Sequence, residues 1–123
     1  MIYKKTVGQF GEELAQKFLI KKGYTIIDAN TKVSFKEIDI VARIKNTVVF
    51  VEVKTRTTKK FGEAVDAITD AKTDNLKKAV SMYLESHKYP KDCGKNNFRI
   101  DLIAVDINID KKTAKIRFYE DII

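Results

Sequence analysis

The chain has 123 residues, enough for one folded domain that buries about two thirds of its unfolded surface. Its 44% hydrophobic and 33% charged residues exclude an intrinsically disordered chain, and no apolar run approaches the ~18 residues of a membrane span. The net charge of +7 favours a polyanionic partner such as nucleic acid, while a single cysteine and the absence of a signal-peptide pattern lead us to expect a cytoplasmic protein with no membrane partner.

The N-terminal half predicts one helix and three strands. Apolar residues recur at helical spacing up to Lys22, and Gly23 follows as a stop signal, so we expect a helix over about residues 6–22. Three β-rich stretches come next, at residues 24–28, 37–44 and 47–53. Lys45 and Asn46 join the last two stretches, and Asn tolerates the left-handed conformation that tight hairpin turns require. These two stretches are therefore predicted to form a hairpin.

The C-terminal half predicts a second helix and two more strands. The helix is expected to run from Asp70, a good N-cap, to about His87. The strands are expected over residues 98–106 and 114–119. The predicted fold class is therefore α/β: a mixed central sheet flanked by two helices, in the order α-β-β-β-α-β-β. No linker or repeat divides the chain, which predicts one domain spanning residues 1–123.

Two acidic residues interrupt otherwise apolar strands. Alternation along the second strand of the hairpin places Glu52 and Lys54 on one face. If the hairpin turns at Lys45 and Asn46, facing positions sum to about 91, which puts Asp39 opposite Glu52. Two opposed carboxylates repel each other unless a cation lies between them. A divalent metal site at Asp39 and Glu52 is one reading, and solvated or lysine-paired carboxylates on an exposed sheet face are the other.

The metal reading has a definite chemistry. Mg²⁺ or Mn²⁺ takes oxygen ligands and keeps positions for water and phosphate, so it can polarise a phosphoryl oxygen. The ammonium group of Lys54 can orient the attacking water or stabilise charge on the scissile phosphate. The reaction that these groups predict is hydrolysis of a phosphodiester bond.

Several motifs together resemble a known family. They are Gly11-Glu12, Glu37-Ile38-Asp39, Phe50-Val51-Glu52-Val53-Lys54-Thr55-Arg56, Phe61-Gly62 and Lys72. Over nearly the whole chain this pattern resembles the uncharacterised YraN-type family. That family is assigned to the restriction-endonuclease-like superfamily with the PD-(D/E)-x-K signature, and it is similar to archaeal Holliday junction resolvases. The resemblance implies a restriction-endonuclease-like fold and a DNA endonuclease, with branched DNA as one substrate by analogy.

The resemblance also implies roles for individual residues. Asp39 and Glu52 match the metal-binding acidic residues, and Lys54 matches the catalytic lysine. Glu12 matches a glutamate on the first helix that completes the metal site in resolvase-like members, although a solvent-facing role fits its position equally well. Lys72 matches a lysine at the start of the second helix; it would contact a phosphate, or its stem would cover apolar surface with the ammonium group in water. Lys36 departs from the family pattern, which has glycine there.

Basic residues follow the predicted site directly. Arg56, Lys59 and Lys60 lie in a stretch without acidic residues and can contact phosphate oxygens without reading the base sequence. Two other functions stay open on the sequence: a non-catalytic nucleic-acid-binding module of a repair or uptake machine, and a structural protein that recruits acidic partners. A resolvase-like enzyme would need two active sites, so a homodimer is a further hypothesis.

Overall fold

The computed structural model describes the backbone of residues 6–57 and 70–123 and the side chains of residues 6–57 and 74–123. Its elements are α1 (Val7–Lys21), β1 (Thr25–Val33), β2 (Lys36–Ile44), β3 (Thr47–Thr57), α2 (Asp70–Leu84), β4 (Phe98–Asn108) and β5 (Thr113–Tyr119). This order confirms the predicted arrangement of two helices and five strands. No helix in these ranges is long and apolar enough to cross a membrane.

The five strands form one mixed sheet in the order β1-β2-β3-β4-β5. β3 and β4 pair in parallel, and the other neighbours pair antiparallel. The parallel pair needs a crossover connection, and the segment containing α2 supplies it. Residues of β4 from Ile100 to Asp106 are all buried, as expected for a strand covered on both faces.

The two helices cover opposite faces of the sheet. Ala15 and Leu19 of α1, four residues apart and so on one helix face, pack against alternate residues of β3 such as Val51. On the other face, Tyr83 of α2 packs edge-on against Phe50, with ring centroids 5.4 Å apart. Alternating side chains of β3 therefore pack on opposite faces of the sheet. We call the cluster of buried residues packed under α1 the α1 core, and the cluster packed under α2 the α2 core.

α1 begins at a capping box. The Oγ1 of Thr6 accepts a hydrogen bond from the backbone N–H of Gln9 at 3.1 Å, and the Oε1 of Gln9 accepts one from the backbone N–H of Thr6 at 2.9 Å. These bonds satisfy two donors that the first turn of a helix leaves unpaired. The start of α1 is therefore fixed, and with it the position of Glu12.

Several local predictions were wrong. β3 continues to Thr57, past the predicted end at residue 53, and α2 ends at Leu84 instead of about His87. β1 extends to Val33, whereas the sequence predicted an end at Asp28. Polar residues after Asp28, such as Thr31 and Lys32, obscure the strand pattern, although they pair with β2. In the turn between β2 and β3, Lys45 adopts the left-handed conformation, with φ of 53°, where Asn46 was expected to do so. The hairpin itself is confirmed.

Candidate metal centre

The regular backbone pairing between β2 and β3 stops next to Asp39. The observed pairs run from Ile44 with Thr47 to Ile40 with Val51 and follow the predicted register. One step further on, the backbone N–H of Val53 donates to Oδ2 of Asp39 at 2.8 Å. A carboxylate therefore replaces a backbone carbonyl as the acceptor between the strands, which anchors the Asp39 side chain at the seam of the sheet.

The strand alternation also breaks at Asp39. Ile38 packs in the α2 core and Ile40 packs in the α1 core, although residues two apart on a regular strand share a face. Asn30 lies across from Asp39 in the register of β1 and β2, and its φ of 49° is left-handed. Asn adopts this conformation more readily than most residues. The irregularity on both strands turns neighbouring side chains out of their expected faces.

Close packing brings α1 to this point. Gly11 is buried, and a Cβ placed on it would overlap the side chain of Thr55 on β3. Only glycine leaves room for the helix to approach the strand so closely. The next residue on the helix, Glu12, is consequently carried to the carboxylate at the seam.

Three carboxylates meet there. Glu12, Glu37 and Asp39 each offer an oxygen, and these oxygens all lie within 4.8 Å of one another. We call these three residues the carboxylate cluster. Burial raises the pKa of Glu12, the charge of Asp39 and the charge of Glu37 raise it further, and a hydrogen bond from Asn30 opposes the rise. Like charges are therefore held together at a cost in electrostatic free energy.

The carboxylate cluster is open to solvent on one side. A cavity of about 450 Å³ borders it and is lined by Thr6, Gly8, Gln9, Glu12, Asn30 and Glu37. Carboxylate oxygens around such an opening are the ligands that Mg²⁺, Mn²⁺ and Ca²⁺ take, and the open side leaves coordination positions for water or a phosphate oxygen. The donor set thus fits a hard divalent cation, whose charge would offset the repulsion.

Glu52 and Lys54 lie together on the adjacent strand. Nζ of Lys54 is 3.9 Å from Oε1 of Glu52, and both side chains are mostly buried, at 24% and 13% exposed. Because Val51 and Val53 on either side of Glu52 pack in the α1 core, Glu52 projects toward the opposite face. Among the described residues, Glu52 is not a member of the carboxylate cluster.

The comparison with known proteins confirms the family that the sequence resembles. The model of the uncharacterised protein family UPF0102 matches residues 11–105, which include the carboxylate cluster, Glu52 and Lys54. The chain belongs to the UPF0102 family.

Relatives in this family match over nearly their full length. A UPF0102 protein of Caldanaerobacter subterraneus subsp. tengcongensis is 40% identical over 114 residues, which cover 93% of this chain and 90% of that protein. A UPF0102 protein of Caldicellulosiruptor saccharolyticus is 37% identical over 118 residues, covering 96% and 97% of the two chains. One of Flavobacterium psychrophilum is 41% identical over 115 residues, covering 94% and 91%.

The predicted site residues of this UPF0102 protein are only partly brought together. Asp39 and Glu12 meet in the carboxylate cluster, and Glu52 and Lys54 form a separate pair. Their assignment to metal binding and catalysis stays a prediction.

Of the residues predicted to contact nucleic acid, the structure describes the side chain of Arg56 alone. Nε of Arg56 donates to Oδ1 of Asp106 at 2.9 Å, and the Asp106 side chain is fully buried. Nη2 of Arg117 lies 3.4 Å from the other oxygen of Asp106, so two guanidinium groups surround one carboxylate. Lys59 and Lys60 lie outside the described residues, and the side chain of Lys72 does as well.

The sequence predicted no role for two residues of this centre. Glu37 precedes Asp39 by two residues, and the alternation of a strand could have grouped them. Asn30 lies within β1, where asparagine is disfavoured, so it was a signal of an irregular backbone. The break in β2 could not be seen, because it depends on the pairing of two strands.

The raised pKa of Glu12 predicts how the stability of the protein depends on pH. A carboxyl group with a raised folded-state pKa stabilises the fold fully below its ordinary value of 4.5, and this contribution is lost as the pH rises through the raised value. Glutamine at this position stays neutral. We therefore expect the Tm of Glu12→Gln to rise relative to wild type as the pH increases from below 4.5 to neutral, measured in buffers without divalent ions.

The matched control is Glu13→Gln, which removes the adjacent carboxylate outside the cluster. Adding Mg²⁺ at neutral pH should then raise the Tm of wild type and of Glu13→Gln, and leave that of Glu12→Gln nearly unchanged. Parallel pH curves for wild type and Glu12→Gln would show that the carboxylates do not repel each other in solution.

Proposed function

We propose that this UPF0102 protein is a metal-dependent endonuclease that hydrolyses phosphodiester bonds in DNA, with Mg²⁺ or Mn²⁺ at the carboxylate cluster. The observation that carries the proposal is the meeting of Glu12, Glu37 and Asp39 within 4.8 Å in a chain of net charge +7. A protein that binds polyanions gains nothing from concentrated negative charge at its surface. A divalent ion reverses the sign of that charge and creates a site for a phosphate.

Each side chain of the centre would have its own role in the reaction. Glu12, Glu37 and Asp39 would hold the ion, and Asp39 is oriented by the N–H of Val53. When bound, the ion supplies a Lewis acid for the phosphoryl oxygen and lowers the pKa of an attacking water. Glu52, which lies outside the carboxylate cluster, would orient the Lys54 ammonium 3.9 Å away. That ammonium would stabilise the charge that develops on the scissile phosphate.

Basic groups near Lys54 would hold the DNA backbone. Arg56 follows Lys54 by two residues on the same face of β3, and its side chain is 39% exposed although Asp106 fixes one edge of its guanidinium. Arg117 approaches the same carboxylate from β5. The basic residues Lys59, Lys60 and Lys72 would extend these contacts along the backbone, which makes binding strongly dependent on salt.

Cleavage assays test this function directly. We expect the wild-type protein to cut labelled DNA in Mg²⁺ or Mn²⁺ and to lose all cutting in EDTA, since the bound ion would be needed as the Lewis acid. Four-way, flap and linear duplex substrates, assayed side by side, identify the DNA structure that is preferred. Salt-sensitive binding without cutting in any metal would instead identify a non-catalytic nucleic-acid-binding module.

A further inference from the structure

The turn between β1 and β2 presents one aromatic side chain to solvent. Val33 pairs with Lys36, which leaves Ser34 and Phe35 as a two-residue loop. The Phe35 side chain is 101% exposed, so it touches almost nothing in the protein. Ser34 is left-handed, with φ of 59°, a conformation that residues other than glycine adopt only at an energetic cost. A strained turn thus holds a large apolar ring in water.

The residues around Phe35 indicate which kind of ligand it binds. Lys36 follows it directly, and the exposed Lys32 lies three residues before it on the other strand. Glu37, a member of the carboxylate cluster, is two residues further along β2. Two residues of an extended strand span about 7 Å, so the base of the ring stands close to the cluster. An aromatic ring between two cations beside a proposed phosphodiester site matches a surface that binds single-stranded nucleic acid.

We propose that Phe35 stacks on an unpaired DNA base next to the scissile phosphate, with Lys32 and Lys36 contacting the flanking phosphates. This inference rests on the proposed function, because it places the base beside the metal site. The faces of a paired base are covered by its neighbours in the duplex, so a protein ring can stack only where bases are unpaired or splayed apart. The turn therefore selects gaps, flaps and junctions over intact duplex.

Binding measurements without cleavage test the stacking. Fluorescence anisotropy in EDTA would compare a blunt duplex with the same duplex carrying a three-nucleotide single-stranded gap. We expect Phe35→Ala to weaken binding to the gapped DNA by about 5- to 150-fold, as for loss of one stacked base, and binding to duplex by less than about twofold. Phe35→Trp should retain the preference. Ile20→Ala removes another exposed apolar side chain, 57% exposed on α1, and should change neither affinity.

A fluorescent base analogue reports the contact itself. 2-Aminopurine placed in the gap should be quenched by wild type and by Phe35→Trp, and should stay bright with Phe35→Ala. Equal losses on gapped and duplex DNA, or no loss, would overturn the stacking role, as would a change from dimer to monomer caused by Phe35→Ala in light scattering. Cleavage that Phe35→Ala leaves unchanged on every substrate would also overturn it while the nuclease stands. Stacking in a protein that cuts nothing would leave this inference standing without the nuclease.

Discussion

Asp39→Asn is expected to lose cleavage of DNA by more than about 100-fold while the protein stays folded. Residues that only support a metal ligand contribute about 10- to 100-fold, so a residue that binds the ion directly should contribute more. The amide oxygen of asparagine can still accept the hydrogen bond that Val53 donates. The substitution therefore keeps this bond between β2 and β3 and removes only the negative charge. The measurement is the single-turnover cleavage rate in Mg²⁺, together with circular dichroism.

Asp74→Asn is the matched control for this experiment. Asp74 is exposed on α2, and its substitution removes one negative charge outside the proposed site. The Mg²⁺-induced rise in Tm should persist in Asp74→Asn and disappear in Asp39→Asn. If Asp39→Asn cuts at the wild-type rate, Asp39 serves only as an acceptor for Val53, and the carboxylate cluster is not the catalytic centre.

Gly11→Ala is expected to destabilise the fold by about 1–3 kcal/mol, because its methyl group has no space against Thr55. Relief of the overlap requires α1 to move away from β3, and this movement carries Glu12 away from Asp39. The substitution should therefore reduce both the free energy of unfolding and the rise in Tm that Mg²⁺ produces. Urea denaturation with and without Mg²⁺ measures both effects.

Gly8→Ala supplies a matched control on the same helix. A Cβ on Gly8 would have Oγ1 of Thr6 as its nearest neighbour, at 3.9 Å, so it fits without displacement. Alanine is favoured over glycine in helices, and we expect a gain of up to about 0.5–1 kcal/mol. Opposite signs for the two substitutions would support the close approach of α1 to β3. A gain for both would show that the helix does not touch the strand at Gly11.

The sequence predicted the fold well where periodicity was strong. The helical stripe ending at Gly23 and the apolar run 47–53 led to elements that the structure confirms, because burial on one side leaves a regular pattern. The end of β1 was missed, since Thr31 and Lys32 are polar although they pair with β2. Their strand conformation depends on a neighbouring strand that lies later in the chain.

The site was predictable only where it depends on the hairpin between β2 and β3. The hairpin register followed from the two-residue turn, and the observed pairs keep it as far as Ile40 with Val51, one residue short of Asp39 and Glu52. The departure of Asp39 toward Glu12 and Glu37 depends on the left-handed backbone of Asn30 and on the approach of α1 at Gly11. Both are tertiary effects that no spacing within β2 or β3 records.

The pairing pattern of the sheet also bears on the order in which the protein folds. β1, β2 and β3 form a meander of short hairpins, whereas β3 and β4 pair residues that are 50 positions apart, as Val48 and Phe98 are (98 − 48 = 50). Contacts between distant residues form slowly, because a long loop must close first. Glu37, Asp39 and Lys54 all lie on the meander. Most of the centre can thus assemble early in folding, and it is completed when α1 docks and brings Glu12.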